Sequence, residues 1–266
     1  MSTLAAALPT PRLVSADVLK LRSRLGLVAV VSLLTVGVVV VAEAIIELLH
    51  VYDPAKHGPA GGVAMLGHLG FTIGALGAVA AAVVGSTAGS GDLDSGVYRD
   101  LVVSGRSRLA LYASRIPAGL LFLLPFVAAA YVLAAGASVV FAGSNPMPST
   151  YLLAVTGLWT LLKVTFYYLL AVGLACLIGS RSYTIGILLA WTMAISPLLA
   201  SISALGRVRD AVPAVALDSL LPAGLGDSAR QGPPIAVSAA AVAAVLIVWA
   251  VSALAAGAWR DTRRDA

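Results

Sequence analysis

Six long runs of almost uninterrupted apolar residues dominate this chain, and they fix its solvent. They cover about 25–49, 62–85, 116–142, 151–178, 183–204 and 234–258. A helix crosses a hydrocarbon core of roughly 30 Å with about 20 apolar residues. Each run is too long for a buried strand, and none shows the alternation of a barrel strand. In lipid every backbone amide has to be satisfied within its own segment, so helices are the physical solution. The turn signals of 143–150 separate the third run from the fourth. Composition agrees: 60% of the 266 residues are hydrophobic and 11% are charged, against about 25% charged in soluble domains. A soluble enzyme and a disordered chain are both excluded. The expected fold is an all-α membrane protein with six transmembrane helices. With Cys176 as the one cysteine, no disulfide framework forms within the chain.

Charge sets the expected orientation. Six spans put both termini on one side. That side collects Arg12, Lys20, Arg22, Arg24, Arg99, Arg106, Arg108, Arg115, Arg181, Arg260, Arg263 and Arg264. The other side has Lys56, Arg207, Arg209 and Arg230. Twelve against four is a positive-inside bias, so both termini are expected in the cytoplasm. The +5 net charge is therefore topology information, and no nucleic-acid partner is implied. Arginine far outnumbers lysine, which points to a high-GC bacterial genome and so to a bacterial inner membrane. Ala42-Glu43-Ala44 imitates a signal-peptidase site, but the first apolar run is too long for a signal core.

Residues 1–24 form the expected cytoplasmic N-terminus, 25–258 the membrane domain and 259–266 a cytoplasmic tail. Within the leader, Thr10-Pro11 is a helix start. Val14, Val18, Leu21 and Leu25 recur at helical spacing, while Arg12, Asp17, Lys20 and Arg24 occupy the other surface. That pattern predicts an interfacial helix on anionic lipid. After the second run comes a Gly/Ser-rich stretch starting at Gly85, where the span is expected to end, with Asp94 or Ser95 capping a short helix. Val97, Tyr98, Leu101 and Val102 give that helix an apolar face and Arg99 and Asp100 a polar one. Such a face needs something to bury against.

Asp92, Gly96-Val97-Tyr98-Arg99, Leu101-Val102 and Gly105-Arg106-Ser107-Arg108 together resemble a pattern found after the second span of ABC-2 type transporter permeases. That pattern reads as an acidic residue, three others, Gly-Thr-x-Arg, a Leu-Leu pair, then Pro-x-Ser-Arg. Here aspartate stands for the usual glutamate, Val97 for threonine and Gly105 for proline. The six spans, the N-terminal surface helix and the cytoplasmic termini match as well. The resemblance implies the membrane subunit of an ATP-driven exporter, for an amphipathic drug, antimicrobial peptide or lipid-linked compound. The segment 92–104 would be a coupling helix docked on a separate cytoplasmic ATPase, present in two copies and carrying ATP and Mg. A second permease chain, identical or related, would complete the path. Gly85-Ser-Thr-Ala-Gly-Ser-Gly91 lacks the lysine of a phosphate-binding loop, so this chain holds no nucleotide of its own.

Between spans five and six, the segment 205–233 is too apolar for a plain loop and too broken for a span. Short helices dipping into the outer leaflet and an ordered surface cap both fit; the resemblance implies an outer gate. Glu43 and Glu47 lie one turn apart near the outer end of span one, and Lys163 near the middle of span four. A charge there costs roughly 2.5–3.5 kcal/mol and finds a partner or lines a path. Lys163 pairs with Glu43, or one of them lines the export path; Glu47 is expected at the exposed interface. His68 is read as a hydrogen-bonded packing residue in span two, and Gly70, Gly74 and Ala78 as a small-residue packing face, within the chain or between two permeases. His50 and His57 flank Asp53, a pair lacking a third metal ligand. No catalytic dyad stands out. A lipid-modifying membrane enzyme using Glu43 and Glu47, and an ATP-independent channel or secondary transporter, are the alternative readings.

Overall fold

A computed structural model describes residues 10–94, 96, 107–225 and 237–263. All regular structure among these residues is helical. Helix α1 covers Pro11–Arg22. The six helices long and apolar enough to span a membrane are α2 (Leu25–Tyr52), α3 (Val63–Asp94), α4 (Arg108–Val140), α5 (Thr150–Ile178), α6 (Arg181–Ser201) and α8 (Ala239–Arg263). Between α6 and α8 lie a 3₁₀ stretch at Ser203–Ala211, the short helix α7 at Pro213–Ser219 and a 3₁₀ turn at Ala223–Leu225. These elements define an all-helical, multi-pass membrane protein.

Local chemistry sets the helix ends. Ser107 and Ser149 cap α4 and α5, their hydroxyls accepting from Ala110 N at 3.1 Å and Leu152 N at 3.2 Å. Helix α5 stops at Gly179, whose φ of 77° needs a residue without a Cβ. Thr10 and Pro11 open α1 as expected, although the Thr10 side chain makes no cap hydrogen bond. Two spans carry a π-helical turn, at Leu33–Gly37 in α2 and Trp191–Ile195 in α6.

Helices α3 and α5 form the buried spine. Their most apolar stretches are 67% and 61% buried, against 11–22% for α2, α6 and α8. The spine is tight because one face of α3 is made of small residues. A Cβ on Gly70 would meet Thr156 Cγ2 at 3.0 Å, one on Gly74 Lys163 Cδ at 3.2 Å, and one on Gly77 Val164 Cγ2 at 2.6 Å. Farther along, a Cβ on Gly85 would meet the Tyr168 carbonyl at 3.0 Å, and one on Gly89 that of Val172 at 2.9 Å. The Gly70–Gly74 face therefore packs within the chain.

This packing corrects the expected end of span two. The Gly/Ser stretch beginning at Gly85 is not a terminator: α3 continues to Asp94. Tertiary contact overrides the low helix propensity of glycine and serine, and the hydroxyls of Ser86, Thr87 and Ser90 bond back to carbonyls three or four residues earlier. Asp94 is accordingly the last residue of α3, and the short helix that Asp94 or Ser95 was expected to cap lies outside the described residues. Helix α4 likewise starts at Arg108, eight residues before the apolar run, which brings Arg115 inside a helix instead of a loop.

Candidate functional site

Lys163 stands thirteen residues into α5, so the ammonium is carried deep into the bundle. Its partner is not Glu43. Lys163 Nζ lies 3.6 Å from Asp218 Oδ1 on α7, and 4.7 Å and 5.3 Å from the ring centres of Trp159 and Phe71. The aromatic faces supply negative quadrupole on two sides of the cation. Trp159 also fixes the height of α7, its Nε1 donating to the Leu217 carbonyl at 2.7 Å. Leu217 is fully buried beside it.

These residues border a cleft of about 270 Å³ between α3, α5, α6 and α7. Lys163, Tyr167, Thr192, Ser196 and Asp218 are its polar lining; Phe71, Ala75, Ala78, Met193, Pro197, Ala200, Ala214 and Val215 are its apolar walls. The π-helical turn of α6 and Pro197 shape one wall. An extra residue in one turn shifts the side chains that follow it, and such turns gather at functional sites. Thr192 satisfies its hydroxyl on the Leu188 carbonyl at 2.9 Å, whereas the buried Ser196 hydroxyl has no partner among the described residues.

A second polar cluster lies at the end of the bundle that holds α1 and the last turns of α8. Arg115 is 3% exposed. Its guanidinium spans Asp92 at 3.6 Å, Asp261 at 3.7 Å, the Gly89 carbonyl at 3.2 Å and Cys176 Sγ at 3.2 Å. Asp92 pairs in addition with Lys20 of α1. Asp17, also on α1, accepts from the Ser114 hydroxyl at 2.7 Å. One cluster thereby ties α1, α3, α4, α5 and α8 together. Burial pushes the Asp17 carboxyl above its ordinary value of 3.8, against the pull of Ser114 and Lys20. Asp17 and Lys20 therefore face the bundle, which corrects the expectation that they lie on the surface opposite the apolar stripe of the leader helix. Leu21 is buried and Val14 and Val18 are half-buried, but Leu25 is 80% exposed.

The other expected positions divide as follows. Asp92 belongs to α3 and does not open a separate coupling helix. Gly96 lies in a turn with φ of 72°. Val97, Tyr98, Arg99, Leu101, Val102 and Arg106 lie outside the described residues. Arg108 begins α4 and donates to the Thr262 carbonyl at 3.3 Å. Glu43 is buried in α2 and neither carboxylate oxygen has a hydrogen-bond partner among the described residues; Glu47 is half-buried. His68 is exposed on α3 and does not serve as the packing residue its position suggested, because the neighbouring Leu66, Leu69 and Gly70 take the inner face. The His50 ring donates to the His57 carbonyl at 2.7 Å, and Asp53 pairs with Lys56 at 3.4 Å.

Sequence reasoning missed Asp218 and Ser196. Asp218 carries a signal: it is the one acid in the apolar stretch Pro213-Ala-Val-Ala-Leu-Asp-Ser, and a proline-started helix holding a single charge needs a partner. Ser196 carries none that distinguishes it from an ordinary serine. The chain matches no family model and no curated protein.

Proposed function

We propose that this chain is the permease subunit of an ATP-binding cassette exporter, driven by a separate cytoplasmic ATPase. The observation that carries the reading is the placement of Asp92. It lies in the last turn of the buried spine helix, pairs with α1 through Lys20 and with α4 through Arg115, and is the first residue of the segment that resembles the coupling element. A force applied to 95–106 would be delivered at once to α1, α3 and α4. Rigid-body tilting of packed helices is how such a push becomes a change of access.

Four finer features support the same reading. Helix α1 carries exposed Arg12, Leu19 and Arg22 while Asp17 and Lys20 bind the bundle, as suits a helix lying at the lipid interface. The arginine bias supports a cytoplasmic position for this end, where ATPase subunits with their ATP and Mg would sit beside it. Helix α7 is tied to Trp159 and Lys163, about 14 and 20 Å along α5 at 1.5 Å per residue. That depth suits a re-entrant outer gate. Apolar faces on α2, α6 and α8 leave room for lipid and for a second permease chain.

The test is co-expression with the ABC ATPase subunit from the same genome, purification on a tag on this chain, and identification of the partner by mass spectrometry. The reading expects a stable complex with two ATPase subunits, lost in Tyr98→Asp with Leu101→Asp. A purified chain that turns over lipid, or conducts solute with no ATPase present, refutes it.

A further inference from the structure

We infer that the cleft beside Lys163 seats an anionic head group, phosphate or carboxylate, belonging to an amphiphile whose tail lies along the apolar walls. This deepens the export reading by naming the chemistry of the cargo, and rests on that reading for the word cargo alone.

Two polar groups face this cleft with capacity to spare. An ammonium has three N–H donors. Lys163 spends them on an ion pair at 3.6 Å, longer than a hydrogen bond, and on two ring faces. The buried Ser196 hydroxyl is the second group. A helical serine or threonine commonly bonds to a carbonyl three or four residues back, as Thr160, Thr184 and Thr192 do here. Ser196 directly follows the π-helical turn and makes no such bond. A cation whose one carboxylate partner stands at 3.6 Å and a hydroxyl without a partner among the described residues, converging on one space, are what an oxyanion needs. Ala75, Ala78, Pro197, Ala200 and Val215 supply smooth apolar wall for a chain beyond it.

The ion pair also discriminates the sign of the ligand. The Lys163 side chain is 9% exposed and Asp218 is 37% exposed. An incoming anion takes the place of Asp218, which moves outward to water on a helix of seven residues, and the count of buried charges is conserved. An incoming cation would have to displace Lys163, which is held over the rings of Phe71 and Trp159 and is only 9% exposed. That would leave an ammonium buried and unpaired, the most costly outcome for a buried pair. Displacing Asp218 also frees a tie between α7 and α5, so occupancy of the cleft and the position of α7 are linked.

The experiment is isothermal titration of the full chain in zwitterionic-lipid nanodiscs with dodecyl phosphate. Dodecyltrimethylammonium and inorganic phosphate are the comparison titrants. The inference expects saturable binding of dodecyl phosphate, at least about tenfold weaker in Lys163→Gln and in Ser196→Ala and undiminished in Asp218→Asn, with no comparable binding of the other two. Size-exclusion profiles and helical circular dichroism identify any variant that fails to fold; the single-hydroxyl change Ser196→Ala and the charge-removing Asp218→Asn then decide the matter. Repeating the titration with phosphatidylglycerol in the nanodisc identifies the source. Loss of the dodecyl phosphate isotherm marks a resident lipid head group as the ligand, and its persistence marks a diffusible amphiphile; both uphold an anionic site. Equal binding by wild type and both Lys163→Gln and Ser196→Ala overturns the inference, as does preferential binding of dodecyltrimethylammonium. No ATPase is present in this titration, so its failure leaves the Tyr98 and Leu101 docking result untouched, and the reverse holds too.

Discussion

Arg115→Met is expected to be the most damaging single substitution at the terminal end of the bundle. Each carboxylate partner, at 3.6 and 3.7 Å, corresponds to a gross attraction of about 4.5 kcal/mol at an effective dielectric of about 20. Most of that gross figure offsets the cost of taking three charges out of water. The net loss on removing one member of a buried pair is about 3–5 kcal/mol, because the remaining charges stay buried without their counterion. Asp92 keeps Lys20, which limits the damage on that side. Asp261 is fully buried and loses its arginine. The expected value therefore lies near about 3 kcal/mol, the lower end of that range, or roughly a hundredfold in the unfolding equilibrium.

Arg115→Lys separates charge from geometry. A lysine is a single point charge and cannot span two carboxylates, a backbone carbonyl and a thiol as the guanidinium fork does. It should recover about half of the loss. Adding Asp261→Asn to Arg115→Met should recover part of it as well, since the carboxylate then no longer sits buried as a charge. The assay is unfolding in mixed micelles by SDS titration, followed by tryptophan fluorescence. Wild-type stability in Arg115→Met, or no recovery in the double variant, would refute the claim that these charges act as one unit.

Three further outcomes follow from the same geometry. Gly85→Leu and Gly89→Leu should each destabilise by about 1–3 kcal/mol or more through overpacking against α5, while Gly26→Leu, with open space around it, should be neutral in the same titration. Trp159→Phe should cost about 1 kcal/mol by deleting the bond to the Leu217 carbonyl, and should raise the maleimide labelling rate of a cysteine placed at Ser219; an unchanged rate counts against Trp159 as the tie of α7. Asp17 holds its proton more tightly in the folded chain than in the unfolded one. Stability should therefore fall as pH rises from 3.8 toward the raised folded value, and Asp17→Asn should flatten that slope in a Tm-against-pH series.

The spans were legible because lipid imposes a length and a polarity that no other solvent does. Their ends were less so. Gly85 and Gly89 read as breakers in isolation and act as packing surface in context, since a missing Cβ is equally good for a turn and for a close helix crossing. Arg115 read as a loop charge and Asp92 as the start of a coupling helix because local sequence shows cost and not partners; the partners come from residues 20 and 261, far away along the chain. The same limit explains Lys163. Its need for a counterion was visible from its depth, but the choice of Asp218 over Glu43 depended on the fold of a segment whose hydropathy fits two depths equally. Ser196 was beyond reach, because its unmet hydroxyl arises from a π-helical turn and not from its neighbours' identities.

The two polar sites are joined by one stiff body. Lys163 and Trp159 lean on Gly74, and the carbonyls of Tyr168 and Val172 pass against Gly85 and Gly89 several turns farther along the same two helices. Interfaces this closely packed do not deform gradually, because each close approach has no slack to give. In the export reading, displacement of Asp92 by the ATPase therefore cannot be absorbed between α3 and α5, and has to appear at the cleft as relative movement against α6, a less buried span, and the short helix α7. A substitution that loosens the spine should then uncouple the ends while leaving both sites intact. Gly77→Ala is the mildest such change, placing one methyl group at 2.6 Å from Val164 Cγ2. With ATPase and permease reconstituted together, it should leave binding of dodecyl phosphate and docking of the ATPase unchanged but lower the stimulation of ATP hydrolysis by that ligand. Full stimulation in Gly77→Ala would show that the signal travels by another route.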